Sequence, residues 1–224
     1  MMTKTITQKI FEFAYGSGLE DAIRQQAFKS DNKGESTVKK PLRDCAEAKK
    51  TVKDYIDCIL HGQKPNFYDV AKKVEEQFAA YIENYNRHPE DGKKITGKFR
   101  FGNAQKLINM TAKYMFFLTY NRPDLRENFA LCHCPMDSNM VSHVIDEVRN
   151  YQKEKKPLSA DVQEIISQPK WVGNLRNSWS QIEHDNHKQY ENFQILVRFF
   201  AKEKGLSPIE YDYHEWKSGE KENE

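Results

Sequence analysis

Residues Gly102–Val141 read GNAQKLINMTAKYMFFLTYNRPDLRENFALCHCPMDSNMV, and the fold class follows from their first half. From Asn103 to Tyr120 the pattern is helical, with Leu107, Ile108, Met110, Ala112, Tyr114, Met115, Phe116, Phe117 and Leu118 leaving almost no polar face. A helix that is apolar all round is buried all round, so the rest of the chain must wrap it. At about 100° per residue, Lys106, Asn109 and Lys113 nevertheless fall on one narrow stripe. An isolated buried charge costs several kcal/mol, so these lysines must be solvated along a cleft, paired with acids or met by an anionic ligand. The stretch closes with Pro135-Met136-Asp137-Ser138. Proline cannot continue a preceding helix and aspartate is a favoured N-cap, which puts Asp137 at the start of the next helix.

Outward from this centre the chain reads as further helices. Thr3–Tyr15 carries Ile6, Ile10, Phe11 and Phe13 at helical spacing, and Gly16-Ser17-Gly18 is expected to stop it. Leu19–Lys29 is a second short helical pattern, with acids early and bases late, followed by a polar loop from Ser30 to Thr37. Leu42–Leu60 and Phe67–Tyr85 are amphipathic, the second capped by Asn66. Asn86–Phe101 contains Pro89, Gly92 and Gly97 and no helical period, and Ile95, Phe99 and Phe101 suit a short extended segment.

Beyond Asp137 an amphipathic helix runs to Tyr151, Ser159 caps another through Ile166, and Trp171 and Trp179 flank a polar linker. His187–Lys204 is a closing helix ended by Gly205, and the aromatic and acidic stretch SPIEYDYHEW (Ser207–Trp216) is suited to docking back on the body. No repeat or heptad is present, which excludes a solenoid or coiled coil. The expectation is an all-α, compact multi-helix domain over 1–216, or two helical lobes, around the central buried helix at about 103–120. Residues 217–224 read as a disordered charged tail.

Composition bounds the function. Of 224 residues, 30% are charged and 38% hydrophobic, and the formal net charge is +2, with a mean hydropathy of −0.87. That is a helix-rich exterior of mixed charge, which neither demands nor excludes nucleic acid. No apolar run is long enough to span a bilayer, and Lys4 and Lys9 are not followed by a signal-peptide core, so the expectation is a cytoplasmic protein with no membrane association. Cys45, Cys58, Cys132 and Cys134 read as reduced thiols. Cys132-His133-Cys134 lacks a second ligand pair, and His184 and His187 lack a third ligand, so neither metal nor cofactor is expected. Walker, dinucleotide, zincin and serine-elbow motifs are absent.

Lys93, Lys94, Lys98 and Arg100 crowd the loop before the central helix, and the glycines there allow a backbone to approach a phosphate. A solvated loop and a phosphate-gripping loop both fit this pattern.

Gly102-Asn103-Ala104-Gln105-Lys106, opening a buried helix, and Pro135-Met136-Asp137-Ser138-Asn139-Met140-Val141, opening the next, resemble two motifs of the helix-hairpin-helix DNA glycosylase superfamily, the endonuclease III and 8-oxoguanine glycosylase type. There a G-h-G-x-K hairpin carries the catalytic lysine, and a P-V-D-[ST]-H-like segment carries the catalytic aspartate. The resemblance covers about forty of the 224 residues. Ala104 replaces the hairpin's second glycine, Lys98-Phe99-Arg100-Phe101 replaces its L-P-G, the interval from Lys106 to Asp137 is longer than in the family, and no iron–sulfur cysteine cluster is present.

The resemblance implies removal of a modified or damaged base from DNA, with Lys106 as nucleophile and Asp137 stabilising positive charge at the sugar. It implies substrate contacts from Asn109, Lys113, Ser138 and Tyr114, and DNA contacts from Lys94, Lys98, Arg100, Gly102 and Asn103. Three other readings stand beside it. Lys106 and Asp137 can be a structural salt bridge, the chain can be a non-catalytic helical module that binds a nucleic acid or a protein, and it can be a small-molecule enzyme whose anionic substrate sits on Lys106 and Lys113.

Overall fold

The structure, a computed structural model, describes residues 4–23, 42–89 and 94–218. Among them are ten α-helices and no strand: α1 (Lys4–Ile23), α2 (Ala46–Leu60), α3 (Phe67–Arg87), α4 (Phe101–Leu118), α5 (Pro123–Arg126), α6 (Ser138–Lys153), α7 (Ala160–Ser167), α8 (Trp171–Arg176), α9 (Lys188–Glu203) and α10 (Pro208–Ser218). The all-α expectation holds. Three of the caps read from residue type also form: the side chains of Asn66, Asp137 and Ser159 accept from the backbone N–H groups of Tyr68, Met140 and Val162.

The central helix is α4, and every residue from Phe101 to Ala112 is buried. It lies along α1 and packs against α3 and the 3-10 turn Trp179–Gln181, while α6, α7, α8 and α10 gather around α9. The buried side chains of both groups form one continuous core.

Two expectations are corrected. Gly16-Ser17-Gly18 does not end the first helix; α1 runs through it to Ile23 and absorbs the start of the second expected helix, while the remainder of that helix and the loop from Ser30 lie outside the described residues. The physical reason is packing. A Cβ on Gly18 would stand 2.9 Å from Thr111 Oγ1, 3.0 Å from Thr111 N and 3.1 Å from the Leu107 carbonyl oxygen. Gly18, with the fully buried Ala14 and Ala22 one turn to either side, therefore lets α1 approach the α4 backbone closely. The stretch between Trp171 and Trp179, expected as a polar linker, is mostly helical as α8, and 3-10 turns follow it at Trp179–Gln181 and His184–Asn186. Trp179 itself is buried. Of the expected tail, Lys217 and Ser218 belong to α10, and the rest lies outside the described residues.

Two extended segments cross the helical body, and neither has a neighbouring strand to satisfy its backbone. Side-chain amides do this instead. Asn86 bonds both the N–H and the C=O of Ile95, at 2.7 and 2.8 Å. Gln194 bonds both groups of Cys134, at 3.2 and 2.7 Å, and Gln105 both groups of Met136, at 3.3 and 3.2 Å. The segment leading to Asp137 is thus clamped from α4 and from α9.

Candidate functional site

The two clamps fix where Asp137 emerges. Its Oδ1 accepts from Met140 N at 2.9 Å as the N-cap of α6, and its Oδ2 accepts from Lys106 Nζ at 2.6 Å. The lysine is almost fully covered, while 30% of the Asp137 side chain remains exposed. The pair lies on the wall of a cleft of about 640 Å³ that Phe13, Asp21, Lys113, Tyr114, Phe117, Leu118, Ser138, Asn139, Trp179 and Tyr213 help to line. Phe13, Phe117 and Leu118 stand exposed at its rim. Trp179 covers the lysine from one side, with Lys106 Nζ 5.9 Å from the ring centroid, a cation–π distance. The Trp179 indole N–H is buried without a hydrogen-bond partner among the described residues.

Seven residues along α4, Lys113 pairs with Asp212 of α10 at 2.7 Å, both side chains nearly buried. Tyr114 donates to Asp21 of α1 at 2.7 Å. Two lysines and two aspartates line the cleft, so it carries no strong excess of either charge. The two acids in ion pairs are driven in opposite directions. At Asp137 burial opposes ionisation, but the Lys106 ammonium and the Met140 N–H outweigh it and hold the carboxyl below the usual carboxylate range. Burial pushes the Asp212 carboxyl up, and Lys113 offsets this only in part. At neutral pH Asp137 is therefore a fixed negative charge at the cleft wall.

Of the residues singled out in the sequence, the structure brings Lys106, Asp137, Lys113, Ser138 and Tyr114 to this one cleft. Asn109 is fully buried away from it, donating to Tyr190 Oη at 2.9 Å and to Gln105 Oε1 at 3.3 Å. Asn103 is also buried. Its Oδ1 accepts from Arg100 N at 3.1 Å and its amide donates to the Ala22 carbonyl at 2.8 Å, tying the start of α4 to the end of α1. Gly102 serves a close approach, but to its own chain. Its N–H donates to the Ile182 carbonyl at 3.0 Å, and a Cβ there would fall 1.8 Å from the Trp179 carbonyl oxygen.

The basic loop lies elsewhere. Lys98 and Arg100 border a second hollow with Glu75, Glu76, Glu83, Glu183 and Asp185, and Arg100 is ion-paired to Glu183. Lys94 is exposed outside both hollows, and Lys93 lies outside the described residues. Cys132 and Cys134 are buried free thiols; burial pushes the Cys132 thiol up to about 12. Among the described residues no group of three or more His, Cys, Asp and Glu side chains is arranged to hold a metal ion, and no helix is long and apolar enough to cross a membrane.

Residue-level reading missed Trp179, Phe13, Asp21 and Tyr213 as cleft residues and Asp212 as the partner of Lys113. Each comes from a distant segment with no local signal, and only the packing of α1, α10 and the 3-10 turn onto α4 assembles them. Comparison of the chain with protein-family models, with curated proteins and with solved structures finds no match.

Proposed function

We propose that the cleft is the active site of a nucleic-acid-directed enzyme of the DNA glycosylase type, which removes a modified or damaged base. The observation that carries this reading is the convergence of Lys106 and Asp137, 31 positions apart, at 2.6 Å on the wall of an aromatic-rimmed cleft. A volume of about 640 Å³ suits one extruded nucleoside. Tyr114, Phe117 and Phe13 offer faces for stacking a base.

When the bond from C1′ to the base breaks, its electron pair leaves with the base and positive charge develops on the sugar. The Asp137 carboxylate, ionised at neutral pH, stands where it would stabilise that charge. Lys106 becomes a nucleophile by giving a proton to the departing base, so that Asp137 stays ionised. Its neutral amine then adds to C1′, and a second nitrogen proton passes to the ring oxygen as the C1′–O4′ bond breaks, which gives an iminium.

The test is borohydride trapping on a panel of duplexes carrying damaged bases or abasic sites. The wild-type chain is expected to give a denaturation-stable protein–DNA adduct on at least one duplex. Lys106→Gln should abolish the adduct, and Asp137→Asn should slow base release by about 10²-fold or more. No adduct and no base release on any duplex overturns the catalytic reading.

A second reading, a non-catalytic helical binding module, is favoured by the direct closure of Lys106 on Asp137 and by the acids beside Lys98 and Arg100. It predicts no base release, with Lys106→Gln and wild type binding a nucleic-acid or protein partner equally well.

A further inference from the structure

A third hollow, of about 330 Å³, opens between the start of α3 and α9, and among the described residues its lining holds two cations, Lys64 and Arg198, and no acid. Elsewhere on the molecule many cations are answered: Lys106, Lys113, Arg100, Arg126 and Lys204 each pair with a carboxylate. Arg198 instead donates to a neutral acceptor, Nε2 of His133, at 2.9 Å. That imidazole is fixed from behind, with Nδ1 2.9 Å from Tyr190 Oη and its ring stacked on Phe67 at 4.4 Å between centroids. Because a guanidinium can only donate, Nε2 must accept and the proton sits on Nδ1. The result is a positioned guanidinium whose other N–H groups have no hydrogen bond among the described residues.

We propose that this hollow binds a small phosphate monoester with an apolar or aromatic body. Two unpaired cations at one concavity favour a dianion over a carboxylate, and the guanidinium fork suits phosphate oxygens. Ile59, Phe67 and Leu131 supply apolar wall. Glu191, the acid that acts on neighbouring Tyr68, is engaged by His187 and Lys188 at 3.3 Å each. The site uses none of the cleft residues, so it stands or falls apart from the glycosylase reading.

Titration of the isotopically labelled full chain with phenyl phosphate, followed by NMR, tests the proposal. Saturable shifts are expected at the amides of Asn66–Tyr68 and at the Arg198 side chain. Arg198→Gln and, independently, the exposed Lys64→Gln should each weaken binding about tenfold. Inorganic phosphate should bind at the same residues but more weakly, and neutral phenol should not bind there. Absence of saturable shifts, equal binding of phenol, or affinity unchanged in Lys64→Gln overturns the proposal. Inorganic phosphate binding as tightly as phenyl phosphate overturns the organic body. Should Arg198→Gln fail to fold, Lys64→Gln decides alone.

Discussion

At the scale of single residues, His133 shows how packing rather than chemistry sets a group's charge. Burial, then the positive charges of Arg198 and Lys64, hold its pKa down at about 3 against the usual 6.5. The unfolded chain therefore binds a proton that the folded chain refuses. The cost is absent above pH 6.5, grows as pH falls from 6.5 toward 3, and levels off below that. At about 1.4 kcal/mol per pH unit, roughly 3 kcal/mol of stability is lost from this one residue by pH 4. His133→Gln should show a pH 7 to pH 4 stability loss smaller than wild type by about that amount in urea denaturation. An unchanged pH dependence, or a His133 ring that titrates near pH 6 by NMR, would refute the assignment. The lysine stripe is the counterpart. That Lys106 and Lys113 needed a solvated cleft, an acid or an anionic ligand was legible from their place on an apolar helix, and Asp137 was legible as the partner of Lys106. Asp212 was not, because nothing local distinguishes it from the other acids of the last helix.

At the scale of elements, the long amphipathic helices were legible because their apolar positions repeat at three and four, and their caps because residue type reports them. The misreading at Gly16-Ser17-Gly18 has a definite origin. Glycine lowers helix propensity whether it breaks a helix or admits a neighbour, and only the neighbour tells these apart. The two glycines of α1 now separate the effects. A Cβ on Gly16 would meet nothing within 4 Å, whereas one on Gly18 would meet the Thr111 backbone at 3.0 Å. Gly16→Ala should stabilise the chain by about 0.5–1 kcal/mol through helix propensity alone. Gly18→Ala should destabilise it by about 1–3 kcal/mol by forcing α1 from α4. Thermal melts of both variants check this, and equal shifts of one sign would show that α1 does not pack on α4 at Gly18. The extended segment before Asp137 was invisible for a related reason: its order depends on Gln105 and Gln194, whose amides match its backbone only after α4 and α9 are in place.

At the scale of the molecule, the C-terminal helix closes the body and completes the cleft in one step. Ile209 and Tyr211 of α10 are fully buried, Tyr213 reaches the cleft, and Asp212 meets Lys113 on α4. The burial that pushes the Asp212 carboxyl up means that its charged form is held against desolvation. A pair of this kind contributes little net stability relative to apolar replacements, yet leaves a costly charge when one partner is removed. Asp212→Leu and Lys113→Met should therefore each cost about 3 kcal/mol, while the two combined should lie within about 1 kcal/mol of wild type. Urea denaturation of the four chains gives the coupling directly. Losses that simply add would mean that the two charges are hydrated independently and that α10 is held by its apolar residues alone. With the coupling present, the double variant also separates the two ion pairs, because it removes the one that holds α10 and keeps Lys106 and Asp137 in place.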